Sequence, residues 1–508
     1  MKKEMIIRWT FLFIAAAALL FFYIVAHPLY IYDVDDWTYI TYSRHAVPSF
    51  NAWNPTKILP ETIMPLSALI GVDVIMPFTG DYIHSLAVAF AIVIVLFVLV
   101  YLYFFGEATK KVFGLKEGPI FFLMASFLLL HFVVYKSTLS GTPHMLYGGN
   151  VNCHFNYLIP GLLNGTLVLW LMSNNVLVEK PEKKRNGIYT GMMILALYLA
   201  LNSNLFHSII LASFAAVNLI RSFFMIFISR KNKAERKFTP NKVLGFIKQN
   251  VLWIGIIIVW LIAHLFEMNG GRAAMANNAN PGFPIGETVK ALISSLSGIK
   301  MTFLIIVFGL LGIALAIWLI GKRRESKAAE KNCLDRRLGT VLLMLFVSLL
   351  ITLLYLILLC SKVSPRYISN PNVQFSFLFW IVSISIFCFG YIVAKYPKVV
   401  ALLPLFVFVM LFETVVCSGK YADATYVDPA TAKALDENII DQAIKAEKDG
   451  FIDTEILIPA YLSQEWPMPV RYGGERIAYT LYKHGIIHAN MKITLVPSES
   501  INTQFGLN

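Results

Sequence analysis

The sequence predicts a mainly α-helical, polytopic membrane protein of about eleven transmembrane helices that ends in a small extracytoplasmic α/β domain. Three observations predict it. Of 508 residues, 57% are hydrophobic and only 14% charged, whereas a soluble domain carries about 25% charged residues. The apolar residues fall in blocks of about 20, the length that crosses roughly 30 Å of hydrocarbon. Residues 418–508 return to a soluble composition. A water-soluble enzyme is excluded.

The first apolar block, residues 6–26, follows Met-Lys-Lys-Glu and ends in Ala26-His27-Pro28-Leu29. It lacks a small-x-small cleavage site and is long for a signal peptide, so it reads as an uncleaved first helix. A large first outer loop follows, residues 29–82. Its second half carries Pro55, Pro60, Pro65 and Pro77 among apolar residues, a stretch read as too broken to span and as short helices along the interface. Ten further blocks run over residues 83–105, 119–135, 157–175, 187–205, 207–228, 250–266, 301–320, 338–360, 374–394 and 398–417. The transmembrane domain is therefore residues 1–417. In the tail, Asp428-Pro429 caps and starts a helix, Leu435, Ile439, Ile440, Ala443 and Ala446 repeat at helical spacing, and Gly450 closes it. A strand over 455–459, a helix over 475–483 and a strand over 491–496 complete an α/β domain, residues 418–508.

Alternate loops differ in charge. With the N-terminus cytoplasmic, the inner segments hold 26 Lys and Arg and the outer loops up to residue 417 hold eight, the asymmetry of the positive-inside rule. The C-terminal tail then lies outside. The formal charge of +13 comes from short runs between apolar blocks, such as Lys322-Arg323-Arg324 and Lys183-Lys184-Arg185. It reports topology and attraction to membrane lipid, not a nucleic-acid partner. Five cysteines without a paired spacing give neither a disulfide framework nor a zinc site. Ionisable residues are scarce inside the blocks, Arg221 and Glu413 among them, which counts against an ion-coupled transporter.

The loops on the outer face hold the residues with chemistry. Asp33, Asp35 and Asp36 lie just beyond the first helix; three carboxylates so close are unfavourable unless they meet cations, a metal or a proton-bearing substrate. A solvated loop that fixes topology would look the same. Trp37 and Tyr39 follow, suited to stacking on a sugar ring or to an interfacial belt. A second loop reads Gly148-Gly149-Asn150-Val151-Asn152-Cys153-His154-Phe155-Asn156, preceded by His144. Its Asn and His side chains offer neutral hydrogen bonds to a polyhydroxylated ligand, or make a tight polar turn. His144 and His154 lack a carboxylate at ligand spacing, so no metal site is assigned to them. Arg272, after Asn269-Gly270-Gly271, and Lys362 and Arg366, in Lys362-Val363-Ser364-Pro365-Arg366, offer cations for a phosphate. Arg44 is a further candidate. An anchoring role at the interface is the alternative for each.

Carboxylates and arginines on one outer face fit glycosyl transfer from a lipid-linked sugar phosphate: a carboxylate deprotonates the acceptor hydroxyl, and the leaving phosphate needs cations. Asp33-Val34-Asp35-Asp36-Trp37, Gly149-Asn150 with Asn156-Tyr157-Leu158-Ile159-Pro160, Gly270-Gly271-Arg272 and Pro365-Arg366-Tyr367 resemble the bacterial GT-C membrane glycosyltransferases. The likeness is to the branch of serotype-type glucosyltransferases that modify O-antigens and wall polymers. It implies a GT-C-like fold, a polyprenyl-phosphate-linked monosaccharide donor, an extracytoplasmic envelope-glycan acceptor and inversion at the anomeric carbon. By the same resemblance Asp35 or Asp36 is the base with Asp33 third, and Arg272 and Arg366 lie near the lipid phosphate. Some such enzymes use a divalent cation, Mg or Mn, which the three aspartates leave open; no metal ligand is assigned. The implied setting is the bacterial plasma membrane, beside a donor-synthesising enzyme and a flippase. The competing readings are a polysaccharide polymerase or ligase acting on lipid-pyrophosphate glycans, a flippase or transporter of lipid-linked sugars, and a scaffold.

Overall fold

The structure, a computed structural model, describes residues 2–31, 34–137, 141–146, 148, 150–176, 187–228, 239–279, 282–324, 332–415, 428–460 and 470–507. It is a polytopic helical protein with one small sheet. Among the described residues, ten helices are long and apolar enough to cross a membrane.

Burial separates the centre of the bundle from its lipid-facing rim. Helices Val151–Asn174 and Pro371–Lys395 are about nine-tenths buried and form the centre, whereas Val251–Met268 and Pro397–Val415 expose most of their apolar surface, as bilayer contact requires. Helix Tyr82–Phe113 spans the full depth. Asp81 caps it by accepting the His84 amide at 2.8 Å, and Gly114, at φ +69°, ends it.

The two ends of the bundle differ in character. At one end Arg8 bridges Glu107 and Glu117, Lys110 joins Glu117 at 2.7 Å, and Lys395 pairs with Asp335 at 2.9 Å. Glu107, Glu117 and Asp335 thus each meet a cation, the condition for burying charge. The opposite end collects the long polar loops. Near this loop end Lys300 and Glu413 pair at 2.8 Å, so the carboxylate in the last apolar block is neutralised.

Three expectations about the spans change. The stretch after Pro60, expected as several short helices, is one almost continuous helix, Pro60–Thr79. Its prolines fall where a helix tolerates them: Pro60 opens the helix, Pro77 is the second residue of the segment that follows a widened turn at Gly71–Ile75, and Pro65 is interior. The blocks at 119–135 and 187–205 are the shorter helices Glu117–Leu130 and Gly187–Leu201. The first ends in a turn at His131 and Phe132, and the second stops where the chain turns to polar side chains, at Asn202-Ser203-Asn204.

The C-terminal residues form the expected elements. Helix Pro429–Lys448 is capped by Asp428, which accepts the Ala430 and Thr431 amides, and Gly450 at φ +83° follows it. Strands β1 (Asp453–Pro459) and β2 (Lys492–Ser498) pair in parallel, with helix Val470–Lys483 as the crossover. This unit sits on the loop end of the bundle: Lys433 pairs with Asp81 at 2.6 Å, and the Tyr82 hydroxyl and His484 Nδ1 lie 2.7 Å apart. The stretches 416–427 and 461–469 lie outside the described residues.

Candidate active site at the loop end of the bundle

Four separated segments close around a cavity of about 710 Å³ at the loop end. The first contributes the short helix Val34–Tyr39. Successive residues on a helix point about 100° apart, so neighbouring carboxylates cannot share a direction. Asp35 is exposed and lines the cavity; Asp36 is fully buried and accepts the Asn152 amide at 2.6 Å. Tyr39, one turn further on, lines the cavity as well, and burial, then the charges of Glu61 and Asp35, hold its hydroxyl protonated.

The second segment is the turn entering Val151–Asn174. Asn150 accepts the Cys153 amide at 2.7 Å and so starts the helix, which places Asn152 and Asn156 on the cavity wall. Asn156 donates to the Asn152 carbonyl at 3.1 Å, and its Oδ1 is buried without a hydrogen-bond partner among the described residues.

The third segment carries Arg272. Gly270 and Gly271 approach the first loop so closely that an added Cβ would fall 2.8 Å from Pro55 and 2.9 Å from the Trp53 ring. That contact lets the Gly271 and Arg272 amides donate to the Ala52 and Trp53 carbonyls at 2.9 and 3.1 Å. The pairing brings Arg272 beside Lys57, which sequence reasoning did not single out. Burial opposes the Arg272 charge, but the Tyr157, Tyr367 and Tyr39 hydroxyl oxygens around the guanidinium keep it protonated. Lys57 reaches the cavity with part of its surface while protein surrounds the rest; burial and then the Arg272 charge push its pKa down to about 8. The fourth segment adds Arg366, exposed at the rim, and Tyr367. A smaller side pocket of about 180 Å³, with mostly apolar walls, opens off the same place and shares Lys57, Tyr157 and Arg272.

Of the residues singled out from the sequence, Asp35, Tyr39, Asn150, Asn152, Asn156, Arg272 and Arg366 therefore share one cavity. The others lie elsewhere. Trp37 is wholly buried, so its ring packs into the core and cannot face a sugar. His144 is stacked on Phe132, and His154 Nδ1 lies 2.9 Å from the Asn150 carbonyl; both are buried behind the cavity wall. Burial, and then the neighbouring His27, His154 and His131, hold His144 well below the usual histidine range, so it is neutral. Arg44 is taken up by Glu61, 3.3 Å away, and by the Asn54 carbonyl. Lys362 is not on the cavity wall, although its neighbours Val363 and Ser364 are. Asp33 and Gly149 lie outside the described residues. Among the described residues no group of three or more His, Cys, Asp or Glu is placed to hold a metal ion.

The residues that sequence reasoning missed are Lys57, Trp53, Tyr157 and Tyr367. Lys57 carried one usable signal, a cation within an outer loop rich in proline. Tyr157 and Tyr367 carried a second, standing inside motifs already quoted. Comparison with protein-family models, curated proteins and solved structures finds no match, so this site is interpreted through its own geometry.

Proposed function

We propose that the protein is a GT-C-type membrane glycosyltransferase that moves a monosaccharide from a polyprenyl-phosphate-linked donor to an extracytoplasmic envelope glycan, with Asp35 as the base. The observation that carries the reading is the placement, across one cavity, of the exposed Asp35 carboxylate and the adjoining cations Lys57 and Arg272. The Asp35 carboxylate takes the proton of an acceptor hydroxyl. The freed oxygen attacks the anomeric carbon from the face opposite the phosphate, the bond from that carbon to the phosphate oxygen breaks, and the configuration inverts. The leaving polyprenyl phosphate departs as an anion, held by Arg272 and Lys57 as fixed charges in a partly dehydrated site.

The side pocket suits the first isoprene units of the donor, because its apolar walls meet the cavity at those two cations. Asn150, Asn152 and Asn156 line the cavity and suit sugar hydroxyls. The working face is extracytoplasmic by the charge asymmetry of the loops, and the membrane is a bacterial plasma membrane by the nature of the donor.

The test is envelope-sugar composition in a deletion strain carrying wild type or Asp35→Asn at matched membrane levels, followed by transfer from purified donor. Loss of a side-chain sugar with the variant, and a rate lower by about 10²–10⁴-fold, is expected for removal of a general base. Full activity of Asp35→Asn refutes the mechanism and favours a polymerase or ligase that dispenses with carboxylates. Movement of lipid-linked sugar without a new glycosidic bond favours a flippase.

A further inference from the structure

The Val34–Tyr39 helix that presents Asp35 has six residues, too few to hold its own shape in water. Its geometry is therefore set by what grips it. At its start, the Asp36 carboxylate accepts the Asn152 amide. Near its end the Asp36 and Thr38 carbonyls are taken by the Ile40 and Tyr42 amides. The Trp37 carbonyl between them belongs to the last turn, where carbonyls lack intrahelical donors. The hydroxyl of Thr480, on helix Val470–Lys483 of the C-terminal unit, donates to it at 2.6 Å. Thr480 is fully buried, and its oxygen also lies 3.0 Å from the Thr41 hydroxyl.

We propose that Thr480 is a positioning residue for Asp35, so that the C-terminal unit forms part of the active site and is not an accessory to it. This rests on the glycosyltransferase reading of the cavity. Asp36 holds the front of the short helix and Thr480 its back, while the Lys433–Asp81 pair and the Tyr82–His484 contact keep the C-terminal unit seated. Loss of the hydroxyl frees the Trp37 carbonyl and lets the helix turn or fray, and Asp35 moves relative to Lys57 and Arg272. A displacement of about 1 Å in a reacting group costs on the order of 10²-fold in rate.

The experiment uses the full-length protein with Thr480→Val, which keeps the shape and removes the hydroxyl, and Thr480→Ser, which restores it. Thr480→Ala serves as a second hydroxyl-free variant should the valine protein not fold. Turnover is expected to fall 10- to 100-fold in Thr480→Val with the acceptor KM within about threefold, and to stay within about twofold of wild type in Thr480→Ser. Thr480→Val should add nothing to Asp35→Asn. A readout independent of transfer is labelling of Asp35→Cys by a membrane-impermeant thiol reagent, with the modified peptide identified by mass spectrometry. Its rate should change severalfold with Thr480→Val and not with Thr480→Ser. Unchanged labelling and turnover in the hydroxyl-free variants overturns the proposal, as does an equal loss with serine. Should Asp35→Asn remain active, the glycosyltransferase reading fails, and the labelling rates still decide whether Thr480 positions residue 35.

Discussion

Raising the pH from 7 to 9 should discharge Lys57 and weaken the grip of the cavity on a phosphate. Burial and the adjacent Arg272 charge push this ammonium down to about 8, so about nine in ten molecules carry the charge at pH 7 and about one in ten at pH 9. If the charged form binds, the Kd for a phosphodiester headgroup rises about tenfold over that interval, equivalent to roughly 1.4 kcal/mol. A diester is the right probe because its own charge is constant over this range. Stability should move the other way. A lysine whose folded pKa lies below its unfolded value binds fewer protons folded than unfolded between the two, so the empty protein gains stability as pH rises through about 8. The assay is headgroup binding by calorimetry in parallel with thermal unfolding, at pH 7, 8 and 9. Lys57→Arg should keep affinity flat across the range, and Lys57→Met should bind at every pH no more tightly than wild type does at pH 9. A wild-type affinity independent of pH, or a Lys57→Arg protein that loses affinity in step with wild type, refutes the assignment of Lys57 to the phosphate.

Three further outcomes follow from buried groups. The Asp436 carboxyl is raised well above the usual range by burial and then by the charge of Asp36, and its Oδ2 has no hydrogen-bond partner among the described residues. Its folded pKa exceeds the unfolded one, so the seating of helix Pro429–Lys448 is firmest in mild acid and weakens as pH rises; hydrogen exchange there between pH 5 and 8 should show that slope, and Asp436→Asn should abolish it and gain about 1–3 kcal/mol at neutral pH. Gly474→Ala places a Cβ 2.1 Å from the Ile493 carbonyl oxygen, a backbone atom that cannot step aside, and should cost the C-terminal unit about 1–3 kcal/mol, read as faster limited proteolysis near β2. Arg8→Met leaves Glu107 and Glu117 facing each other with Lys110 alone and should cost on the order of 3 kcal/mol, measured by thermal unfolding in detergent; an unchanged midpoint would show that the buried arginine is dispensable.

What the sequence revealed and what it hid have physical reasons. The Asp428 cap and the Gly450 stop are local signals, and both stand where the sequence put them. In Pro60–Thr79 proline density misleads about helix length, because Pro60 opens the helix and Pro77 stands in the first turn of its last segment, where a missing amide costs little. Asp35 and Asp36 were indistinguishable as neighbours in an unassigned loop, and only the turn of a helix sends one to the cavity and the other to Asn152. His144 and His154 looked like ligand groups because a histidine in a polar loop carries no mark of burial. Lys57 was invisible for the opposite reason: its neighbour Arg272 is more than 200 residues away, and nothing in either local sequence announces the contact that Gly270 and Gly271 permit.

The hydrogen bond from Thr480 to Trp37 joins residues 443 apart in the chain. At about 5–20 residues per second, the short acidic helix emerges from the ribosome roughly 20 to 90 s before its partner. During that interval the bundle assembles span by span while the helix bearing Asp35 lacks the cap on its last turn. Helix Val470–Lys483 thus acts as a completion signal for the cavity: a chain that stalls or is cut short of it enters the membrane with the helix bearing Asp35 uncapped, and ribosome-arrested chains of increasing length should reach the full-length labelling rate of Asp35→Cys in a single late step.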